Sequence, residues 1–210
     1  MAVQLAIFNL HTLLLKKRGI NEADCSGDGT GHAISITQHY ATSAQKLKDS
    51  IKENTGTVKF VYSFALMDIG ERMYIGYGVS FKSEKEAFER ALQLAQMLGI
   101  EVESLRLDKY YSAEAYVELC QGYLGGMKVF IIPKKNIAKL GLGEWCRNVV
   151  RFAEDTNAFL KEYFQRNQSE SGFSEDKKRT GWRFAQKRDE RVATAYGLTT
   201  LWHNLFWVEA

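Results

Sequence analysis

Apolar positions in residues 2–15 recur at helical spacing, with Leu5, Phe8, Thr12 and Leu15 close to one face. The run ends in Lys16, Lys17 and Arg18, and the pattern predicts an N-terminal helix. Residues 19–31 are rich in Gly, Asp and Ser, which are turn formers, so a turn is predicted there. A strand is predicted over 33–37, where polar and apolar residues alternate, and a polar surface excursion over 46–57. Residues 59–67, rich in aromatic and β-branched side chains, predict a strand. A turn at 68–71 leads into a second strand over 73–81, making a β-hairpin. Ser83 and Glu86 form a capping box ahead of Ala87, Phe88, Ala91, Leu92, Ala95 and Leu98, and Gly99 follows as a stop. A strand over 102–107, a helix over 112–123 and a short buried strand over 129–132 come next, the last closed by Pro133. One long helical tract is predicted from about 144 through the 170s, and a last helix over 194–208. Strands first, then helix–strand–helix–strand, then helices, predict an α/β domain with a mixed sheet flanked by helices. Residues 1–20 read as an N-terminal helix and 21–210 as one domain.

The 210 residues carry 45% hydrophobic and 25% charged side chains, ordinary globular values that exclude disordered and collagenous classes. The net charge of +3 is too small to identify a partner by itself. Cys25, Cys120 and Cys146 are odd in number and contain no CxxC pair, which excludes a disulfide framework and a zinc ribbon. Charges after the first apolar run, rather than before it, exclude a signal peptide, and no membrane span is present. An intracellular, soluble protein is the expectation. His11, His32, His39 and His203 lack zinc-ligand spacing.

Three places offer chemistry. Tyr163, Arg166, Glu170 and Lys177 are spaced Y-(2)-R-(3)-E-(6)-K. On a single helix these offsets fall within a stripe roughly 60° wide. Read alone, such a stripe is usually a solvated charged face. Asp108 ends a predicted strand, where α/β proteins place ligand sites, although turn and cap aspartates are common there. Asp24 and Asp28 lie in the Gly-rich segment. That segment lacks the phosphate-loop pattern, and as a calcium loop it has Ser35 where the bidentate glutamate belongs. Three carboxylates from three elements can converge to hold two Mg²⁺ or Mn²⁺ ions, the arrangement that phosphodiester chemistry needs.

On these residues the chain resembles the DDE transposases of prokaryotic insertion sequences, in the subgroup marked by the Y-(2)-R-(3)-E-(6)-K spacing. Asp28-Gly-Thr30 is similar to the first-aspartate motif, and the segment from Leu107 to Ser112 to the second, with Tyr110 where the family often has glycine. Residues 130–136, 167–174 and 201–205 are similar to the later family segments. The resemblance implies a ribonuclease H-like catalytic domain over 21–210 and DNA transposition by Mg²⁺- or Mn²⁺-dependent cleavage and strand transfer. Asp28, Asp108 and Glu170 would then be catalytic metal ligands. Asp24 competes with Asp28, which is preferred because Asp-Gly-Thr matches. Tyr163, Arg166 and Lys177 would contact DNA phosphates near the scissile bond. Implied partners are element-end and target DNA and a second copy of the chain, in a prokaryotic cytoplasm beside the nucleoid. A hydrolysis-only nuclease and a non-catalytic, DNA-binding or dimerising remnant are the alternatives. Such transposases usually carry an upstream end-recognition domain. Here the presumed first aspartate leaves room for one helix before it, so the expectation is a catalytic core.

Charge distribution supports a DNA surface. Residues 177–191 carry seven Lys/Arg, among them Lys178, Arg179 and Arg183, interleaved with Trp182 and Phe184.

Overall fold

The computed structural model describes residues 2–34, 60–137, 140–180, 183–184, 186 and 189–209. The elements are α1 (Ala2–Arg18), β1 (Glu22–Ile34), β2 (Phe60–Asp68), β3 (Tyr74–Ser80), α2 (Glu84–Leu98), β4 (Glu101–Leu107), a 3₁₀ turn (Lys109–Tyr111), α3 (Glu114–Leu124), β5 (Lys128–Phe130), α4 (Gly143–Glu154), α5 (Thr156–Phe164), α6 (Asn167–Thr180), β6 (Arg183–Phe184) and α7 (Asp189–Val208). The strands form one sheet in the order β3-β2-β1-β4-β5, and β6 pairs with the end of β1. β2 runs antiparallel to β1 and β3, whereas β4 and β5 run parallel to β1. This mixed order with helices on both faces is the expected α/β, ribonuclease H-like architecture. No described helix is long and apolar enough to cross a membrane.

The hairpin forms where expected, and its strands are buried on both faces. In β2, Phe64 and Leu66 pack toward α2, while Ala65 and Met67 pack toward α6. Phe88 of α2 meets Phe64 edge-on at 4.8 Å between ring centroids. Fully burying such a ring contributes about 2–3 kcal/mol. Ser83 caps α2 by accepting the Glu86 amide at 3.2 Å, and Gly99 closes it in the left-handed conformation at φ 70°. The Glu86 carboxylate accepts from the Ser80 hydroxyl at 2.6 Å, which ties the helix to β3.

Four expectations are corrected. The Gly-rich segment 22–34 is a strand, not a turn, and it lies at the centre of the sheet. Its small residues make room for neighbours: a Cβ at Gly27 would lie within 2.9 Å of Phe64, Leu66 and Leu107. The expected strand over 33–37 is the end of this same β1; residues 35–37, the excursion 46–57 and His39 lie outside the described residues. The tract from 144 through the 170s is three helices, with Asp155 capping α5 through the Ala158 amide at 2.9 Å and a turn at 165–166 before α6. In α1 the buried stripe is Ile7, His11 and Leu15, while Leu5 is 60% exposed. The stripe shifts because α1 packs beside α7, where Thr200 and Asn204 offer polar partners to His11.

Candidate active site

The register of β1 against β4 sets the geometry. Gly27 pairs with Leu107, so Asp28 and Asp108 follow on adjacent parallel strands. Beyond this point β4 stops, and its chain turns away through the 3₁₀ turn. This is the carboxyl end of β4, the kind of position where open α/β sheets place ligands, whereas β1 runs on to Ile34. Asp108 starts the turn by accepting the Tyr110 amide at 2.8 Å on Oδ1. Its other oxygen faces the Arg166 guanidinium at 3.5 Å.

Arg166 stands in the turn between α5 and α6, and the same Nη2 lies 2.6 Å from Glu170 Oε1. Its side chain is 15% exposed, and its charged end lies 5.5 Å from the centroid of the Tyr163 ring. Tyr163 itself is buried at 4% exposure, beneath Arg166 rather than on the surface. The spaced residues Tyr163, Arg166, Glu170 and Lys177 therefore span two helices and a turn instead of one helix. α6 crosses β1 and β2, and Lys177 Nζ donates to the Thr30 hydroxyl two residues beyond Asp28.

Charge binds the cluster together. Burial pushes the Asp28 carboxyl up to about 6, and the negative charges of Glu170 and Asp108 add to the rise. The Gly29 amide, 2.9 Å from Asp28 Oδ1, and the Arg166 charge oppose it. Burial lowers the Lys177 ammonium, and the Asp28 charge resists that shift. Asp108 and Glu170 are thus paired with Arg166, and the Asp28 carboxyl lies where it feels their charges. Among the described residues no three His, Cys, Asp or Glu side chains stand as a group that would enclose a metal ion. Arg166 is the cation with which Asp108 and Glu170 are paired.

Asp24 stands apart. It lies four positions before Asp28 on the strand, about 13 Å along the chain. Asp24 accepts from the Ser104 hydroxyl and lies 3.5 Å from buried Arg106. Arg106 also pairs with Glu162 at 2.6 Å, so this knot ties β1 and β4 to α5. Nothing in the residue spacing marks Arg106, because its role depends on strand pairing.

The basic segment is divided as well. Lys178 is exposed on α6. Arg179 is drawn toward Glu175 at 3.6 Å and stacks over Phe206 of α7 at 4.4 Å. The backbone of Arg183 pairs with Ala33 in the sheet. Trp182, Lys187 and Arg188 lie outside the described residues.

No family model matches the chain. It is 42% identical over 205 residues, 97% of its length, to a protein of Archaeoglobus fulgidus named as a probable transposase for insertion sequence element ISA1214. The chain spans 59% of that relative's length. Nearly the whole chain is thus similar to part of a protein that bears the name of an insertion-sequence transposase.

Proposed function

We propose that this chain supplies the catalytic centre of a DNA transposase. In this reading it cleaves the ends of an insertion sequence and joins the freed 3′-hydroxyl to target DNA. The observation that carries it is the pairing of Asp108 and Glu170 with Arg166 at the carboxyl end of β4, beside Asp28 in the middle of β1, whose carboxyl feels all three charges. The relative's name supports the same reaction class.

Three carboxylates are hard oxygen donors, and this donor set fits Mg²⁺ or Mn²⁺. Asp28, Asp108 and Glu170 would hold such ions, with Glu170 leaving Arg166 to do so. When bound, the ions polarise the attacking and leaving oxygens of an in-line displacement. The chain's own residues orient the DNA. Arg166, released from Glu170, offers a planar fork to a phosphate near the scissile bond. Lys177, held at Thr30 beside Asp28, neutralises a second phosphate. Tyr163 keeps the Arg166 guanidinium over its ring. Lys178, Arg179 and Arg183 are the further phosphate contacts of this reading. The partners in this reading are element-end DNA, target DNA and a second copy of the chain. Trp202 and Leu13, both 62% exposed, offer apolar area for that copy.

The test is an assay on a supercoiled plasmid bearing the element's ends, with Mn²⁺. Nicking at the ends that disappears in Glu170→Gln supports the reading. Joining of a labelled 3′-hydroxyl end to target DNA identifies a transposase, and nicking without joining identifies a nuclease. An absence of both with Mn²⁺ and Mg²⁺ overturns the proposal.

A further inference from the structure

α6 presents two faces that must be held in a fixed relation. Ser169, Gly172, Phe173 and Asp176 are buried against the sheet and α7. Glu170 and Lys177 lie roughly 90° around the helix from the centre of that buried face, by helical geometry. Whatever sets the rotation of α6 therefore decides whether Glu170 and Lys177 reach Asp28 and Asp108.

Two contacts that set it are matters of shape. Phe173 stacks on Tyr74 with centroids 6.0 Å apart. Gly172 admits Met67, whose Cε would lie 2.3 Å from a Cβ at that position. Apolar contacts of this kind tolerate small rotations. The directional contact is Asp176. Its Oδ2 accepts from the Tyr74 hydroxyl at 2.8 Å, and its Oδ1 faces His203 Nδ1 at 3.0 Å. His203 is wholly buried, and its Nε2 lies 2.9 Å from the Arg72 carbonyl oxygen. A carbonyl can only accept, so Nε2 carries a proton. Next to it, Asn204 accepts the Tyr74 amide at 2.7 Å and donates to the Tyr74 carbonyl at 2.8 Å. The polar array joins α6, β3, the turn before β3 and α7, and its bonds have fixed directions.

We propose that Asp176, gripped by Tyr74 and His203, is a positioning residue that fixes the rotation of α6 and so delivers Glu170 and Lys177 to the acidic centre. The proposal rests on the reading of Glu170 as a site residue. It assigns Asp176 no contact with DNA or metal. Hydrogen-bond counting gives the distinguishing variant. In Asp176→Asn, the amide oxygen accepts from Tyr74, and the amide nitrogen donates to His203 Nδ1, while Nε2–H still donates to Arg72. The three contacts are kept, the one to His203 with its donor reversed and Nδ1 now accepting, while the carboxylate charge is removed. In Asp176→Ala the Tyr74 hydroxyl and His203 Nδ1 lose their partner.

The experiment compares Mn²⁺-dependent plasmid nicking and Mn²⁺ affinity by calorimetry, using the full chain, in wild type, Asp176→Asn, Asp176→Ala, Tyr74→Phe and Glu170→Gln. Asp176→Asn is expected to keep kcat and Mn²⁺ affinity within about threefold of wild type, since no bond is lost. Asp176→Ala is expected to lower kcat about 100-fold, the usual cost of an ångström of misplacement, with little change in KM for DNA. It is also expected to weaken Mn²⁺ binding. Tyr74→Phe, which removes one hydroxyl, is the gentler probe should Asp176→Ala fail to fold, and it is expected to lower kcat about tenfold. If Asp176→Ala, or Tyr74→Phe in its place, melts earlier but keeps the wild-type kcat, the residue is structural only and the proposal is overturned. If Asp176→Asn is as impaired as Asp176→Ala, charge rather than the geometry of the contacts matters and the proposal is likewise overturned. Wild-type nicking in Glu170→Gln overturns the reading of the site instead, a separate and distinguishable failure.

Discussion

The Arg166 guanidinium lies 2.6 Å from Glu170 and 3.5 Å from Asp108, so one side-chain cation serves both acidic groups. It stands in the cluster where the proposed reaction needs divalent cations, and the two kinds of cation must compete. Replacing Arg166 by Gln is expected to raise Mn²⁺ affinity about tenfold without DNA, because a neighbouring positive charge is removed from a carboxylate site. The same variant is expected to bind DNA more weakly, having lost a phosphate contact. Calorimetry of the variant with Mn²⁺ alone decides the matter. Unchanged or weaker metal binding would show that Arg166 does not compete.

Asp108 has two separable jobs. One oxygen caps the Tyr110 amide, and the other faces Arg166. Asparagine can still cap, since its carbonyl oxygen accepts equally well. Asp108→Asn is therefore expected to abolish nicking while changing stability by no more than about 1 kcal/mol. Thermal melts and the plasmid assay on one preparation test both halves. A variant nicking at the parental rate removes Asp108 from the reaction.

Much of this fold is legible in the chain. Aromatic and β-branched side chains mark the hairpin 60–80, and the Ser83 cap with Gly99 bounds α2, because both signals are local. β1 is hidden, since Asp, Gly and Ser read as a turn when their neighbours in space are unknown. Only the packing of Phe64, Leu66 and Leu107 over Gly27 shows why a central strand tolerates them. The helix breaks at Asp155 and at 165–166 carry no Pro or Gly and escape notice for the same reason. That Asp24 meets Ser104 and Arg106 while Asp28 lies level with Asp108 follows from strand pairing, a tertiary fact. Asp108, Arg166 and Glu170 are marked by spacing and resemblance, whereas Asp176 and His203 act through buried hydrogen bonds that leave no periodic trace.

His11 makes stability depend on acid. It is 1% exposed, and burial pulls its imidazole down to about 4 from 6.5. Its Nδ1 accepts from Asn204, and its Nε2 faces Thr200, which suits the neutral ring. The folded state thus resists a proton that the unfolded chain accepts below about 6.5. The stability from this group is fully present above pH 6.5 and is lost as pH falls toward 4, amounting to about 3 kcal/mol. His32, also lowered to about 4 by burial, adds a slope of the same sign. Denaturant unfolding at pH 7 and pH 4.5 measures the loss. A His11→Gln chain is expected to be less stable at pH 7 but to show a shallower fall. An unchanged slope would mean that His11 is not the source.

The basic segment makes a prediction about salt. Binding through phosphates releases counterions, and each lost phosphate contact lowers the slope of log affinity against log salt by about 1. Lys178 and Arg179 are both exposed on α6, but Arg179 is engaged by Glu175, which also holds Arg72 at 3.4 Å, and by the Phe206 ring. A cation already paired and stacked gains less from a phosphate than one exposed to water. Lys178→Ala is therefore expected to reduce the salt slope by about 1 and to weaken all duplexes alike. Arg179→Ala is expected to change the slope by less than half as much, and instead to loosen α6 from α7 in a thermal melt. The measurement is a titration of element-end and scrambled duplexes at two salt concentrations with both variants. Equal slope changes in the two variants would show that Arg179 leaves Glu175 and Phe206 to bind DNA. A loss confined to the element-end duplex would show that Lys178 reads sequence rather than backbone charge.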